Sequence, residues 1–495
     1  MIFISLRTSV IFLLCIVFSI GSVCSKAEQV AYVGASIIDG NGGAPVVDGV
    51  IVTDGKFILA VGPRDSVDVP AHANVVNVEG SFIVPGFIDG NVHFFPWPSW
   101  TYIEFLARYE GRFEEIIEEG AQIALSYGVT TAFDSMGPVI PGLNVRDRIN
   151  RGEIVGPRLF IAGNIVGFRA VFTTVESIKS ASSAFQARIN ALFEMNVGPE
   201  LVWMSPEQIY DEMYEYADLV DFVKVGVTGD GPPLNSEIGQ GNILRFTPAQ
   251  LRAMVAAVHD RGKKIQSHTG SAESLRVTVE AGFDMAQHCA HTRSSRIYDS
   301  TIALMKETGF FCGTQWAPLK EDEKVQLREK TYASKHSPVG RSSVDFALDN
   351  AIRLINAGVP QLMTTDTGTI DPDIRQDWGP NGLGGLGGGA SGVGEDHFLN
   401  MRAMRERGMT PMMVIQAATK NVAAAYGKLD LFGTLEPGKL ADFVLLEDNP
   451  LSDIEHMRSV KMVVKEGQQI DRTKLPTNPI LTSTEAGSPG LFRTQ

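Results

Sequence analysis

Short apolar segments alternate with helical ones over residues 85–429. Apolar residues follow helical spacing from Phe113 until Gly128, where the glycine ends the helix, and the apolar stretch 129–135 that follows is typical of a buried strand. Strand–helix units repeated in this way predict an α/β fold, a (β/α)8 TIM-like barrel. The predicted barrel strands are 84–93, 129–135, 158–163, 221–226, 264–268, 284–288, 309–314 and 361–366.

The two ends of the chain have a different pattern. Short β-rich runs separated by Asp-Gly, Gly-Gly and Pro turns occupy residues 30–84, and similar runs return at 433–470. Because the ends of a chain often lie close together, we predict one small β-sandwich domain from residues 26–84 and 430–470. The barrel then covers residues 85–429, and residues 471–495 form a C-terminal tail.

The first residues have the layout of a secretory signal peptide. One positive charge precedes an almost wholly apolar stretch at 8–23, and small residues follow at Ser22 and Ser25. We predict a signal peptide over residues 1–25 and a periplasmic or secreted protein without stable membrane association after signal removal. An uncleaved anchor is the alternative, although an apolar stretch this short barely spans a bilayer.

Charge and cysteine content narrow the partners and the chemistry. The formal net charge is −14, whereas binding of phosphates needs clustered Lys and Arg, so we expect no nucleic acid and no polyanionic substrate. A small-molecule substrate remains, and a homo-oligomer stays open. After the predicted signal peptide only Cys289 and Cys312 remain. They imply no disulfide framework, and their strand context predicts buried packing rather than nucleophiles.

Polar residues that can bind metals stand at the carboxyl ends of the predicted strands, where barrels place their chemistry. Asn91 and His93 are two residues apart, so alternation within a strand puts both on one side. A single barrel histidine is more often a hydrogen-bonded core residue, but imidazoles and a carboxylate together are donors that zinc accepts. We predict one or two divalent ions, most simply zinc, bound by Asn91, His93, Lys224, His268, His288 and Asp366.

Lys224 and Asp366 each allow more than one role. A buried ammonium flanked by Val and Phe is unfavourable unless it is paired or chemically altered. Lys224 is therefore a Schiff-base lysine, an ion-paired structural lysine, or a carbamylated lysine whose anion bridges two metals. Asp366 can take a proton from water beside a metal and pass it to the leaving group, or it can simply cap the following loop.

Several of these motifs together resemble the metal-dependent amidohydrolase superfamily over nearly the whole mature chain. They are PGFIDGNVH, FVKVGV, QSHTG, AQHCAH, TTDTG and the late AATKNVAAAYG and GTLEPGKLADFVLL. The resemblance implies a (β/α)8 barrel with a side β-sandwich, a catalytic base at Asp366, and a bridging lysine that is typically carbamylated in binuclear members. By resemblance the metal-binding positions are His93, Lys224, His268, His288 and Asp366.

One position departs from the family pattern. The family usually has His-x-His on the first strand, whereas this chain has Asn91-Val92-His93. The Asn-x-His variant resembles the subgroup that contains phenylurea hydrolases and molinate hydrolase. Because an amide is a weaker donor than an imidazole, the site is either binuclear with one labile ion or mononuclear. Drift of Asn91 in a pseudoenzyme is a further alternative.

Aromatic residues follow the first strand and suggest an aromatic or apolar substrate. They are Phe94, Phe95, Trp97 and Trp100, which could equally pack against barrel helices. The long segment 164–216 predicts an extra helix or lid, and the Gly- and Pro-rich stretches 230–242 and 379–394 predict flexible loops. His291 and His397 are candidates for hydrogen bonding near the site, but a surface or structural role is the simpler interpretation.

Together these features predict an exported metal-dependent hydrolase that cleaves amide, urea or carbamate C–N bonds. An ester or lactone substrate stays open, because the same attack serves C–O bonds. The alternative enzyme is an exported metallo-dipeptidase, which needs a cation for the substrate carboxylate, and Arg169 and Arg293 are weak candidates for it. A metal-binding homologue without turnover is the non-enzymatic alternative.

Overall fold

A computed structural model describes residues 29–95, 103–168, 182–193, 195–228, 244–292, 295–316, 318–319, 343–368 and 392–482. Several predictions therefore fall outside the described residues. They concern the signal peptide, Trp97, Trp100, Arg169, Arg293, the loop 230–242 and most of 379–394.

Strands of two kinds make up the two parts of the structure. In chain order they are β1 (Gln29–Ile37), β2 (Val46–Asp54), β3 (Phe57–Pro63), β4 (Asn74–Asn77), β5 (Phe82–Pro85), β6 (Phe87–Val92), β7 (Val129–Asp134), β8 (Arg158–Ile161), β9 (Ile165–Val166), β10 (Val223–Gly226), β11 (Ile265–His268), β12 (Met285–Gln287), β13 (Phe311–Gly313), β14 (Gln361–Leu362), β15 (Phe443–Leu446), β16 (Val460–Lys465) and β17 (Gln468–Gln469).

The two chain ends form one eight-stranded sheet. Its order is β17-β16-β15-β5-β1-β2-β3, with β4 paired to β1. Most pairs are antiparallel, and β5 from the first end pairs with β15 from the second, with Val84 opposite Val444. Strands from both ends of the chain are therefore paired in one sheet. Division into the two layers of a sandwich stays a prediction.

The central strands are parallel and follow one another as a barrel requires. They pair as β6-β7-β8 and as β9-β10-β11-β12-β13-β14. Two hydrogen bonds connect the first strand to the last, from the Gly90 amide to the Met363 carbonyl at 2.9 Å and from the Asp366 amide to the Asn91 carbonyl at 2.8 Å. Seven of the eight predicted strands are present with shorter bounds, and the short strand β9 was not predicted.

The first predicted strand, 84–93, was wrong as a single element. Its beginning belongs to β5 in the terminal sheet and its remainder to β6 in the barrel, with a break at Pro85–Gly86. A Cβ on Gly86 would lie 2.2 Å from Thr130 Oγ1 on the neighbouring strand. The chain can turn from one sheet into the other here because the residue has no side chain.

Helices cover the outside of the barrel, and their ends follow the expected signals. Thr247 and Gln250 form a full capping box at the start of one helix, an arrangement worth about 1 kcal/mol. Within the described residues, no helix is long and apolar enough to span a bilayer. The helices are α1 (Ile103–Arg108), α2 (Phe113–Ser126), α3 (Val139–Asn150), α4 (Ser183–Phe193), α5 (Pro206–Leu219), α6 (Pro248–Asp260), α7 (Ala272–Ala281), α8 (Asp299–Thr308), α9 (Ser343–Ala357), α10 (Glu395–Glu406), α11 (Pro411–Ala417) and α12 (Lys420–Ala425), with short 3-10 turns at Pro199–Trp203, Ile454–Arg458 and Arg472–Lys474.

The two remaining cysteines form a disulfide bond, which the sequence analysis did not predict. Cys289 and Cys312 are both buried, as predicted, but their sulfurs are joined and their Cα atoms lie 5.7 Å apart. Adjacent strands β12 and β13 bring together two residues that are 23 positions apart in the chain. Strand pairing, which spacing alone does not reveal, explains the bond.

Candidate active site

The predicted site residues all lie at the carboxyl end of the barrel. Asn91 is on β6 and His93 follows it, Lys224 is on β10, and His268 ends β11. His288 directly follows β12, and Asp366 follows β14. Parallel strands present these ends at one edge, and the chain that follows each strand carries its side chain into the same region.

Asn91 is the centre of the closest contacts. The Lys224 Nζ donates to Asn91 Oδ1 at 2.9 Å, and Asn91 Nδ2 donates to Asp366 Oδ1 at 2.7 Å. The same carboxylate oxygen lies 2.9 Å from His93 Nε2 and 4.0 Å from the Lys224 Nζ. Four of the six predicted residues are therefore in direct contact or close to it.

The other two predicted histidines lie beside this group. The rings of His268 and His288 are 4.7 Å apart between centroids and nearly perpendicular. His288 also interacts electrostatically with Asp366 and with Lys224. The structure therefore brings all six predicted residues into one cluster.

The backbone is unusual where the strands deliver these groups. His288, Gln315 and Asp366 have φ values of 60°, 32° and 56°, in the left-handed region that non-glycine residues rarely adopt. Such conformations cost roughly 1 kcal/mol or more each, and they concentrate at functional sites. The surrounding packing must hold these three residues in place.

Burial controls the protonation of the cluster. Burial lowers the pKa of Lys224 to about 8, against the opposing charges of Asp366 and Asp134. Burial would raise the pKa of Asp366, but its interactions with His288 and His93, including the hydrogen bond with His93, and the charge of Lys224 hold that pKa well below its usual range. Burial also lowers the pKa of His93 and of His288. At neutral pH the site therefore contains neutral imidazoles and an ionised carboxylate.

Two imidazole nitrogens in this cluster have no protein partner. Within the described residues, His93 Nδ1 and His288 Nε2 are buried without a hydrogen bond, a state that normally costs 1–3 kcal/mol, as an order of magnitude. Bare nitrogens of neutral histidines beside a carboxylate are the donor set of a divalent ion. Among the described residues, no three His, Cys, Asp or Glu side chains are already arranged around a common point as metal ligands, and His93 Nε2 lies 2.9 Å from Asp366 Oδ1.

Two further residues in the cluster were missed. The Gln315 side chain donates Nε2 to Asp366 Oδ2, and Asp134 ends β7 with its carboxylate accepting from the Met136 amide at 3.3 Å. Burial raises the pKa of Asp134 to about 7. Both residues lie at or just after barrel strands, so the strand-end rule that singled out the six predicted ligands would also have found Asp134. It would have passed over Gln315, because a glutamine is not a usual metal ligand.

Asp89, in contact with His397, links the first barrel strand to the segment after the last one. The Asp89 carboxylate is fully buried, accepts from the Asn91 amide at 3.0 Å and from the Thr365 amide at 3.2 Å, and lies 2.9 Å from His397 Nε2. It therefore fixes the backbone beside both Asn91 and Asp366. His397 was expected at the surface or in a structural role; it is buried and contacts Asp89.

The aromatic residues after β6 pack inside the protein. Phe94 and Phe95 are buried, and the Phe95 ring contacts those of Phe105, Phe113 and Phe193 at centroid distances of 5.9, 4.8 and 5.7 Å. The packing alternative is therefore correct for Phe95. The predicted extra helix in segment 164–216 is present as α4, and the segment contributes a different ring, Phe168, to the site.

Phe168 lies between a predicted metal ligand and a cation. Its ring centroid is 5.5 Å from that of His268. The Arg245 guanidinium lies 5.0 Å from the same Phe168 centroid. Arg245 also donates Nη1 to the Gly167 carbonyl at 2.7 Å. The Phe168 ring therefore contacts both a positive charge and one of the predicted metal ligands.

A cavity of about 350 Å³ lies elsewhere, beside the first three residues of β8 and the C-terminal half of α3. Arg146 and Arg158 line it together with Asp221. Both arginines are paired with carboxylates, Arg146 with Asp221 and Arg158 with Asp442. The cavity has no link to the histidine cluster, which remains the candidate active site.

Comparison with known proteins agrees with this geometry. The model of the amidohydrolase family matches residues 82–470. Among solved structures, molinate hydrolase is 35% identical with a TM-score of 0.84, covering 92% of this chain and 98% of its own. Phenylurea hydrolase B is 34% identical with a TM-score of 0.83, covering 92% of this chain and all of its own. Ochratoxinase of Aspergillus niger is 23% identical over 88% of this chain and 85% of its own length.

The family match spans well over half of the chain, and two solved relatives exceed 30% identity over nearly all of it. The predicted resemblance, including that to the Asn-x-His subgroup, is therefore confirmed. The chain belongs to the amidohydrolase family and is a hydrolase.

Proposed function

We propose that this enzyme hydrolyses an amide, urea or carbamate bond of a small apolar or aromatic substrate with the help of a divalent metal, most simply zinc. The observation that carries the proposal is the contact series from Lys224 through Asn91 to Asp366, next to buried imidazole nitrogens without partners. Similarity to molinate hydrolase and phenylurea hydrolase B supports this substrate class.

The residues suited to hold the metal are His93, His268, His288 and Asp366. Asn91 and Lys224 would contribute to the binding of a second metal ion. A bound divalent ion supplies Lewis acidity, which polarises a carbonyl and makes water more acidic. Because burial brings the pKa of Lys224 to about 8, part of its amine is neutral near pH 7.5. A neutral amine is the form that reacts with carbon dioxide, so carbamylation of Lys224 is part of the proposal.

Asp366 is the proposed proton carrier. Its depressed pKa keeps it ionised at neutral pH, so it can accept a proton from the attacking water. Asn91 and Gln315 hold its two oxygens from different sides. The carboxyl group then delivers the proton to the departing amine, which must be protonated to leave.

Metal analysis combined with a substrate panel tests the proposal. We would measure zinc per chain for wild type and Asn91→His, and hydrolysis of anilides, phenylureas, carbamates, esters and lactones before and after chelation. We expect C–N cleavage that chelation abolishes and zinc restores. Two ions per chain would favour a bridging Lys224, and one ion would favour a mononuclear site. Protein that binds no metal and cleaves nothing would refute the proposal.

A second candidate, the metallo-dipeptidase, is favoured by one observation. Arg245, fixed on Phe168 beside His268, is a cation placed where it could meet a substrate carboxylate. If dipeptides are the substrates, Arg245→Gln should raise KM at least tenfold more for a dipeptide than for an uncharged anilide. Equal effects on both would remove this candidate. Failure of metal-loaded protein on every substrate would favour the homologue without turnover.

Export is also part of the proposal. The first residues have the composition of a signal peptide, and the mature chain is expected in the periplasm or medium. Mass spectrometry of the protein from its natural host should show an N-terminus near residue 26. A cytosolic, full-length chain would contradict export without affecting the proposed chemistry.

A further inference from the structure

The Cys289–Cys312 disulfide joins two segments that enter the proposed metal site. Cys289 directly follows His288, and Cys312 lies on β13 three residues before Gln315. His288 is a predicted metal ligand, and Gln315 contacts Asp366. A single covalent bond therefore links the backbones that carry both groups.

Strand pairing holds β12 to β11 as far as Gln287, but on the β13 side it ends two residues before His288. β12 pairs with β13 at only two positions, Met285 with Phe311 and Ala286 with Cys312. His288 lies beyond the last pair and has a left-handed backbone, stabilised locally by a 2.8 Å bond from the His291 amide to its carbonyl. The disulfide extends the connection between the two strands past this turn.

The Cys312 side of the bond is held firmly. After Cys312 the chain is tied to the last barrel strand, because the Thr314 amide donates to the Leu362 carbonyl and the Gln315 amide to the Thr364 carbonyl, both at 3.1 Å. Thr314 Oγ1 also lies 3.0 Å from Asn400 Oδ1. A bond from Cys289 to this fixed segment therefore restrains the turn that carries His288.

Both half-cystines are shielded from solvent. Cys289 is 1% and Cys312 0% exposed. Reagents that attack disulfides need access to the sulfur, so the bond must form before or during folding and then persist. This matches an exported chain, because oxidising compartments are where such bonds form.

We propose that the Cys289–Cys312 disulfide is a positioning bond that holds His288 in its metal-binding orientation, so that the site reaches full affinity only after oxidation of both thiols. This rests on the proposed function, since it requires His288 to bind the metal. In the oxidation each thiol loses a proton, and the pair gives two electrons to a disulfide oxidant such as glutathione disulfide. The oxidant is reduced to two thiols as the S–S bond forms.

The test compares zinc affinity with and without the bond. Full-length wild type and Cys289→Ala/Cys312→Ala would be titrated with Zn²⁺ against a competing chelator, and their Co²⁺-loaded forms would be recorded by visible absorption. We expect about tenfold weaker zinc binding and an altered cobalt spectrum in the double variant, as when a group that orients a ligand is lost. Val464→Ala, in the core of the terminal sheet, is the control for general destabilisation and should leave affinity and spectrum unchanged.

The outcomes separate this inference from the proposed function. Wild type that binds no zinc refutes the metal site itself. The full-length chain also contains Cys15 and Cys24, so wild type with four free thiols rather than two after denaturation without reductant refutes the bond. A double variant with wild-type affinity and cobalt spectrum refutes its positioning role. If the double variant does not fold, wild type refolded with and without glutathione disulfide gives the same comparison. Equal zinc affinity of the two refolded samples would then overturn the inference.

Discussion

Gly226→Ala should destabilise the enzyme by a steric clash next to the proposed metal site. Gly226 ends β10, two residues after Lys224, and Phe168 packs directly over it. A Cβ at this position would lie 2.0, 2.3 and 2.9 Å from three atoms of the Phe168 ring. The ring is 1% exposed and lies against His268 and Arg245, so it cannot move without displacing them.

The clash sets the size of the expected effect. Inserting a methylene group into a packed core costs about 1–3 kcal/mol, and here a rigid ring rather than a flexible chain end must yield, so we expect about 3 kcal/mol. Urea unfolding of the metal-free protein would measure it. Adding Phe168→Leu should recover part of the loss, because the smaller side chain vacates space. Such recovery would appear as a coupling term in a double-mutant cycle.

Gly137→Ala is the matched control. Gly137 also lies at the carboxyl end of a barrel strand, but a Cβ there would lie 3.5 Å from its nearest neighbour, Phe95 Cβ, which is ordinary contact. The control should change the unfolding free energy by less than about 0.5 kcal/mol. If Gly226→Ala is as mild as this control, the argument from close approach of Phe168 is wrong.

Three further predictions concern buried carboxylates. The pKa of Asp134 is about 7 in the folded protein, above the usual 3.8, so its contribution to the free energy of unfolding should fall as pH rises from 4 to 7. Asp134→Asn should abolish this slope in urea unfolding. Above pH 7 it should stabilise the metal-free protein by at most about 4 kcal/mol. Asp366→Asn should lower kcat at least about 100-fold with the fold intact by circular dichroism, because the amide cannot accept the proton. Glu119 accepts from the amides of Ile480, Leu481 and Thr482, so Glu119→Gln should release this segment and speed its cleavage by trypsin or subtilisin several-fold. Unchanged cleavage would show that other contacts hold it.

The barrel and the position of its site were predictable because both depend on local patterns. Strand–helix alternation identified the order of the parallel strands, and the apolar spacing from Phe113 to Gly128 identified a helix that the structure reproduces as α2. All carboxyl ends of the strands meet at one edge of a parallel barrel. Polar residues that follow each predicted strand in the sequence can therefore be assigned to one site. The break between β5 and β6 was missed because an apolar run shows no change of sheet, and the only local signal was Pro85–Gly86.

Contacts between distant segments account for what the sequence did not reveal. The disulfide depends on the register of β12 against β13, and the Asp89–His397 contact joins residues more than 300 positions apart. Neither pairing follows from spacing. Gln315 escaped attention for a different reason, since a glutamine is not a usual metal ligand and its importance appears only through its bond to Asp366.

Asn91 acquires a different meaning once these contacts are known. From the sequence it was interpreted as a weaker replacement for an imidazole ligand. In the structure its amide accepts from Lys224 and donates to Asp366, two opposite charges whose closest atoms are 4.0 Å apart. An amide can serve both at once, because its oxygen only accepts and its nitrogen only donates. Asn91 therefore orients the proposed proton carrier whether or not it binds a metal, and this explains how a chain without the usual histidine can retain the arrangement of the family site.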